Sequence, residues 1–173
     1  MDCFVPDIYA KNIYTIDYDK LKKSGIKCLL FDLDNTIVPI NKDLPDKKIK
    51  ELFSTLEDKG FKIIIFSNST KSRVQPFKEQ LNVDASYLSL KPLKRKYQRI
   101  LKLYPYKITQ IAAIGDQLLA DIWGANKMGI TSILVNPLST SDFFITRFNR
   151  SLERRIYEKL AKRGILERNQ YYD

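Results

Sequence analysis

The stretch FDLDNTIVPI, residues 31–40, begins on the last residue of the apolar run IKCLLF and places Asp32 and Asp34 one residue apart. An uninterrupted apolar run of this length predicts a strand that is buried on both faces of a sheet. Two carboxylates about 4 Å apart repel by roughly 4 kcal/mol at an effective dielectric constant near 20. A buried strand that ends in such a pair therefore predicts a positive partner beside the two acids.

Four more apolar runs predict further buried strands. They are FKIIIF (61–66), ASYLSL (85–90), IAAI (111–114) and TSILV (131–135). Between these runs, apolar residues at helical spacing predict amphipathic helices that end before Gly60 and before Pro105. This alternation is typical of an α/β fold with a parallel, doubly wound sheet, whose ligand crevice lies at the carboxyl ends of the strands. The 173 residues are expected to form one domain, residues 1–173.

Polar side chains follow directly after four of the predicted strands. They are Asp32, Asp34 and Thr36, then Ser67 and Asn68, then Lys91, and finally Asp116 and Asp121. Because the carboxyl ends of parallel strands meet at one edge of a sheet, we expect these groups to converge. Carboxylates, a hydroxyl and a lysine at one place can hold Mg²⁺ and a phosphoryl group between them. The positive partner of the acid pair is then expected to be a metal ion.

The composition limits the chemistry that is available. The chain contains no histidine, which excludes a Ser-His-Asp triad, His-ligated zinc and imidazole acid–base catalysis. The net charge of +10 favours anionic partners such as phosphate esters, acidic lipids or nucleic acid. Two cysteines and the lack of a signal-peptide or membrane-spanning pattern lead us to expect a cytoplasmic protein.

Four motifs, DLDNT, FSNS, LSLKP and GDQLLAD, stand in this order behind predicted strands and resemble those of the haloacid dehalogenase (HAD) superfamily of phosphatases. The stretches VPDIYAKNIYTI and STSDFFITRFNRSLERRI extend the resemblance to the subfamily IIIA branch that includes phosphatidylglycerophosphatases. The resemblance implies a Rossmannoid three-layer sandwich around the parallel sheet. Residues 37–66 have room for little beyond one helix and one strand, so the site is expected to be essentially capless and open to a large substrate.

The resemblance also implies a role for each motif residue. Asp32 would be the nucleophile that forms an aspartyl phosphate, and Asp34 the general acid and base. The other implied roles are Mg²⁺ binding by Asp32, Asp34 (through its carbonyl), Asp116 and Asp121, phosphoryl binding by Ser67 and Lys91, and substrate contacts by Thr36 and Asn68. Ala120 departs from the pattern, because related sequences usually carry Thr before the second acid. The implied activity is a magnesium-dependent phosphomonoesterase, with phosphatidylglycerophosphate as the expected substrate.

The C-terminal segment predicts a basic amphipathic helix over about residues 147–163. It holds seven basic residues against two acids, and its apolar stripe is Phe148, Leu152, Ile156 and Leu160. The stripe either packs on the domain, with the charges solvated, or helps the protein attach peripherally to an anionic membrane.

We place lipid recognition around residues 143–155. There Phe143 and Phe144 would touch the bilayer, and Arg147 and Arg150 would hold a second, non-reacting phosphate of the substrate. In the competing interpretation, the phenylalanines are buried and the arginines tie the helix to neighbouring acids.

Other functions stay open from the sequence. A phosphatase of a soluble small molecule or of a phosphoprotein is the first alternative. A nucleic-acid-binding protein or 3′-phosphatase is suggested by charge alone, without an RNP-type or helix-turn-helix signature, so a nucleic-acid partner is not expected. A calcium loop is disfavoured because Ile37 stands where such a loop needs glycine.

Overall fold

The computed structural model of the protein describes residues 2–139 and 144–173, and the side chains of all of these except residues 144–149. Its centre is one open sheet of six parallel strands in the order β1-β6-β5-β2-β3-β4. The strands are β1 (Ile8–Ala10), β2 (Cys28–Phe31), β3 (Lys62–Phe66), β4 (Asp84–Ser86), β5 (Ile111–Gly115) and β6 (Thr131–Val135). The parallel α/β fold predicted from the sequence is confirmed.

Helices connect the strands. They are α1 (Tyr18–Lys23), α2 (Lys47–Asp58), α3 (Lys71–Leu81), α4 (Lys94–Leu103), α5 (Trp123–Met128) and α6 (Phe144–Ala161). A five-residue π-helical turn, Leu118–Ile122, runs directly into α5. Between β2 and β3 the chain forms only loops and α2, whose first turn is capped by the Asp46 side chain accepting from the backbone N–H of Ile49 at 2.9 Å. No cap domain therefore stands in this connection.

Alternate residues of the central strands enter opposite layers of the core. Leu29 and Phe31 of β2 belong to the larger hydrophobic cluster, whereas Cys28 and Leu30 belong to the cluster that also contains Tyr97 of α4. Side chains of a strand alternate between the two faces of a sheet, so a strand covered by helices on both sides must be apolar at every position. This explains the uninterrupted run that precedes Asp32 and the three-layer arrangement.

The structure shortens one predicted strand and adds one that was not predicted. The strand predicted over 85–90 is wrong in length, because β4 ends at Ser86 and Leu88 and Leu90 have φ angles of 46° and 52°, outside the β region. The sequence reading also missed β1, which is only three residues long and pairs with β6 at the edge of the sheet. So short a strand has no periodic pattern that could reveal it.

The prediction of an apolar stripe on the C-terminal helix is wrong at position 152. Leu152 is 44% exposed, whereas Glu153 and Leu160 are buried against the body of the protein. Phe143 lies outside the described residues, and the side chains of Phe144 and Phe148 lie outside the described part as well. Within the described part of the chain, no helix combines the length and the apolar character needed to span a bilayer.

Candidate active site

The loop after β2 holds the two acids of the opening motif. The backbone N–H of Asp32 still donates to the carbonyl of Ile114 on β5 at 2.9 Å, so this residue continues the sheet. Leu33 and Ile37 are buried in the core, and the N–H of Ile37 donates to the Leu33 carbonyl at 3.0 Å, which closes a tight turn. The apolar residues of DLDNTIV thus anchor the loop from below and fix the position of its carboxylates.

Asp32, Asp116 and Asp121 converge with Lys91 at the carboxyl edge of the sheet, as predicted. One carboxylate oxygen from each of the three acids lies within 4.8 Å of the others, and all three residues are buried. The Nζ of Lys91 donates to Oδ1 of Asp32 and to Oδ1 of Asp121, both at 2.6 Å. Part of the positive charge that the acid pair demands is therefore supplied by a lysine.

Gly115, the last residue of β5, makes room for this cluster. A Cβ atom at this position would lie 2.1 Å from Cγ of Asp121, far inside van der Waals contact. The Asp121 carboxylate lies against the bare backbone and accepts a hydrogen bond from the N–H of Gln117 at 3.1 Å. The glycine of the GDQLLAD motif is thus required by the close approach of a side chain, and its φ angle is not positive.

The cluster carries more negative than positive charge. Four buried carboxylates, those of Asp32, Asp116, Asp121 and Glu153, face two cations, Lys91 and Arg150, which leaves a formal charge of −2. A buried net charge is costly unless it is paired or coordinates a metal. One divalent cation would balance this charge, and carboxylate oxygens are the ligands that Mg²⁺ prefers.

The pKa values of buried Asp32 and Asp116 are shifted upward, as expected where negative charge is in excess. Burial raises the pKa of Asp32, Lys91 opposes this, and the neighbouring acids add to it, so the net shift is upward. Burial also raises the pKa of Asp116 to about 6, against the opposing effect of Arg150. For Lys91, burial lowers the pKa, but the carboxylates of Asp121 and Asp32 outweigh it and the net shift is upward.

The loop after β4 presents Lys91 and is braced by the loop after β3. The side-chain oxygen of Asn68 accepts from the N–H of Lys91 at 2.8 Å, and the Asn68 amide group donates to the Lys91 carbonyl at 3.3 Å. The carbonyl of Ser67 accepts from the N–H of Ser89 at 2.9 Å. Ser67 is itself buried, and its hydroxyl accepts from the N–H of Ser69 at 3.1 Å. Asn68 thus contacts the backbone of the lysine loop in this structure.

Asp34 has a partner that the sequence reading missed. Nε and Nη2 of Arg73, on α3, both donate to Oδ1 of Asp34, at 3.0 and 2.8 Å, and the hydroxyl of Ser69 donates to Oδ2. Arg73 also donates to the Lys42 carbonyl, so it ties the loop after β2 to α3. No pattern marks this arginine in the sequence, because arginine is common in surface helices. The one available signal is its position in the first turn of α3, the helix that follows the FSNS motif.

Thr36 and Arg150 both contact Asp116. The Thr36 hydroxyl donates to Oδ1 of Asp116 at 3.3 Å, while Nη1 of Arg150 donates to the Asp116 carbonyl at 3.0 Å and Nη2 pairs with its carboxylate. Arg150 also donates to Oε2 of Glu153 at 3.2 Å, and Oε1 of Glu153 accepts from the N–H of Leu119 at 2.9 Å. Arg150 therefore ties α6 to neighbouring acids, as the competing interpretation expected. The Arg147 side chain lies outside the described residues.

Comparisons with known proteins agree with this geometry. Residues 1–138 match the model of a family described as mitochondrial PGP phosphatase. The chain belongs to this family. A relative from Bacillus subtilis (strain 168), named "Probable phosphatase YqeG", is 38% identical over 164 residues, which cover 95% of each chain. The chain is thus a phosphoric monoester hydrolase of the HAD superfamily, in the branch that the sequence motifs indicated.

Two further matches are more distant. "Phosphatidylglycerophosphate phosphatase 1, chloroplastic/mitochondrial" from Arabidopsis thaliana is 24% identical over 93% of this chain, which spans about half (49%) of that protein. The magnesium-bound crystal structure of the putative HAD-hydrolase YfnB from Bacillus subtilis superposes with a TM-score of 0.52. That match is 15% identical and covers 69% of this chain and 91% of the other, so it supports the fold alone.

Proposed function

We propose that the protein hydrolyses the terminal phosphomonoester of phosphatidylglycerophosphate through an aspartyl phosphate on Asp32, with Mg²⁺ as cofactor. The observation that carries the proposal is the buried group of three acids around Lys91, with its formal charge of −2. The family description and the name of the Arabidopsis relative support this lipid as substrate. The absence of a cap in the connection between β2 and β3 suits a substrate that is anchored in a membrane.

The proposed reaction begins with an oxygen of Asp32 attacking phosphorus while the bond to the alkoxide oxygen breaks. Asp34 gives the departing alkoxide a proton and later takes one from the water that hydrolyses the aspartyl phosphate. Oxygens of the phosphoryl group replace the Asp32 carboxylate as partners of Lys91, and Ser67 binds another oxygen. Arg73 acts as a positioning residue that holds Asp34 in place through its two hydrogen bonds.

The metal would be held by Asp32, Asp116 and Asp121, with the carbonyl of Asp34 as a further ligand. Bound there, Mg²⁺ supplies positive charge to the phosphoryl oxygens as negative charge builds up in the transition state. The described residues fit this ion, because oxygen atoms converge there and neither histidine nor thiolate is among them.

A basic cavity next to Asp116 supports a substrate with two phosphates. The cavity has a volume of about 620 Å³, within the usual range for small-ligand sites, and its lining includes Arg150, Arg154 and Arg168. Arg150 is engaged with Asp116 and Glu153, whereas Arg154 has no ion pair among the described residues. We assign the phosphodiester of the substrate to Arg154 and Arg168. They take the place of Arg150, whose guanidinium is engaged with acids, while the role expected for Arg147 stays a prediction.

The test is a comparison of phosphate release from four substrates. Phosphatidylglycerophosphate in mixed micelles is compared with a sugar phosphate, a phosphopeptide and 3′-phosphorylated DNA, each with Mg²⁺ and each repeated with Asp32→Asn. The proposal expects the highest kcat/KM for the lipid. It also expects that Asp32→Asn releases no phosphate above background from any of the four substrates. A higher kcat/KM for a soluble phosphate would keep the phosphatase and reject the lipid as its substrate.

A further inference from the structure

The loop between β4 and α4 exposes three leucines beside the candidate active site. Leu88, Leu90 and Leu93 are 48%, 54% and 56% exposed. Single exposed leucines are ordinary in soluble proteins, but three within six residues form a patch. The same loop carries Lys91, whose Nζ lies 2.6 Å from Asp32, so the patch adjoins the reacting groups.

The backbone holds two of these leucines in conformations that leucine disfavours, while Leu93 has an ordinary extended conformation. Leu88 and Leu90 have φ angles of 46° and 52°, in the left-handed region. The N–H of Leu88 donates to the Ser69 carbonyl at 2.9 Å, and the N–H of Leu93 donates to the Leu90 carbonyl at 2.8 Å. Ser89 and Lys91 are buried between the exposed leucines. The Ser89 hydroxyl donates to the Ser86 carbonyl at 3.0 Å and Lys91 reaches the acids, so the loop is held to the protein on this side while the leucines stay exposed.

Three basic residues follow the leucines. Lys94, Arg95 and Lys96 form the first turn of α4, which has no acidic residue. Cations in this position are unfavourable for the helix, because the N-terminal end of a helix dipole is positive. Lys96 is half-buried and donates to the Tyr87 carbonyl at 3.5 Å, whereas Lys94 and Arg95 are exposed. The two exposed cations work against helix stability, which points to a use outside the fold.

We infer that residues 87–96, the docking loop, bind the surface of an anionic bilayer. The three leucines enter the interfacial region, and the basic turn pairs with acidic lipid headgroups. Lys91 is carried by the same loop, so docking brings the reaction centre to the headgroup layer. The inference rests on the proposed lipid substrate and adds to it the surface by which the protein meets the membrane.

The test is co-sedimentation of the full chain with vesicles, which needs no turnover. Vesicles of phosphatidylcholine alone are compared with vesicles that contain phosphatidylglycerol. The variant is Leu88→Asn, Leu90→Asn and Leu93→Asn together, because asparagine tolerates positive φ and so removes apolar surface without adding strain at the first two positions. The control is Ile108→Asn. Ile108 is 38% exposed and lies just before β5, so it stands at the amino edge of the sheet, opposite the edge that carries the docking loop.

The inference expects the wild type to bind the anionic vesicles in a salt-dependent manner. The leucine variant should bind at least tenfold more weakly and keep its melting temperature, and the control should bind like the wild type. Equal binding by wild type and leucine variant would overturn the inference. So would a wild-type dimer, detected by light scattering, that ignores vesicles and dissociates in the variant.

Phosphate release separates failure of the inference from failure of the proposed function. If the wild type binds the vesicles through the leucines but releases no phosphate from phosphatidylglycerophosphate, the docking surface stands and the substrate is wrong. If it hydrolyses this lipid in micelles while vesicle binding is the same with and without the leucines, the substrate stands and the docking loop is wrong.

Discussion

The acid–lysine cluster consists of Asp32, Asp116, Asp121 and Lys91. It lies at the same edge of the sheet as the docking loop, but the two are built in opposite ways. In the cluster, Asp32, Lys91 and Asp121 are buried and joined by two hydrogen bonds of 2.6 Å. In the docking loop, Leu88 and Leu90 are exposed on backbone conformations that leucine disfavours. In our proposals the cluster is completed by a divalent cation and a phosphoryl group, whereas the loop binds a much larger partner, the bilayer surface.

From this difference we infer that the residues for the chemical step and the residues for substrate choice are separate in this protein. In the proposed reaction the cluster contacts only the phosphoryl group, so its residues should matter equally for every phosphate ester. In the same proposal the docking loop and the basic cavity contact the rest of the substrate, so changes there should affect some substrates and spare others. The arginines of the cavity also lie beyond residues 1–138, the range matched by the family model.

The largest expected effect is loss of the nucleophile. Asp32→Asn should lower kcat by about 10⁴-fold or more on both phosphatidylglycerophosphate and 4-nitrophenyl phosphate, because no aspartyl phosphate can form. Asp34→Asn should cost about 10² to 10⁴-fold on the lipid. Steady-state phosphate release measures both. Activity of Asp32→Asn on either substrate, with deamidation excluded by mass spectrometry, would reject the assigned nucleophile.

The next effect concerns the positioning residue Arg73. Arg73→Ala should lower kcat on the lipid by about 10 to 100-fold, because Asp34 loses the two hydrogen bonds that hold it and a misplaced acid protonates the alkoxide poorly. The loss should shrink to less than about threefold for 4-nitrophenyl phosphate, whose leaving group needs no proton. Lys71→Ala, at an exposed position of α3, is the control. Equal losses on the two substrates would mean that Arg73 acts only on the fold.

A smaller and more selective effect is expected in the cavity. Arg154→Ala with Arg168→Ala should raise KM about 30-fold for glycerophosphoglycerophosphate, the soluble headgroup of the lipid, because two charge-assisted contacts of about 1 kcal/mol each are lost. KM for 4-nitrophenyl phosphate, which has one phosphate, should rise much less. Arg155→Ala with Arg163→Ala removes the same charge from exposed positions and is the matched control. Equal shifts in both double variants would assign the effect to net charge alone.

The smallest effect is a pH dependence of stability without metal. Asp116 and Glu153 have pKa values raised to about 6 and about 7, chiefly by burial, so both bind protons in the folded state that the unfolded chain has released. As pH rises from about 5.5 to about 8, the free energy of unfolding should therefore fall by up to about 1.4 kcal/mol per pH unit for each extra proton bound in the folded state, and the melting temperature should fall with it. Asp32, whose pKa burial also raises, adds to the fall in the same direction, and the chain has no histidine that would titrate in this range.

Saturating Mg²⁺ should remove most of this slope, because it binds the ionised carboxylates. Calorimetry of the chelated and the Mg²⁺-loaded protein measures both slopes. A melting temperature that rises with pH in the chelated protein, or a slope unchanged by Mg²⁺, would argue against a buried metal site at these acids.

The sequence predicted the sheet and the convergence of the cluster because both follow from short local patterns. Apolar runs mark the strands, and in a parallel sheet residues just beyond them must share an edge. Arg73 and Glu153 could not be found in this way, because their roles depend on how α3 and α6 pack. The loop after β4 could not be predicted, because ASYLSL has the apolar composition of a buried strand, and the positive φ angles of Leu88 and Leu90 leave no mark in the sequence.

The most direct test of the central claim is identification of the phosphorylated residue. The enzyme is mixed with phosphatidylglycerophosphate and Mg²⁺, quenched in acid during turnover and treated with borohydride, which reduces an aspartyl phosphate to homoserine. Mass spectrometry of the peptides then locates the reduced residue. We expect homoserine at position 32 and at no other aspartate. Reduction at Asp34, Asp116 or Asp121, or none at all while phosphate is released, would contradict the assignment of Asp32 as nucleophile.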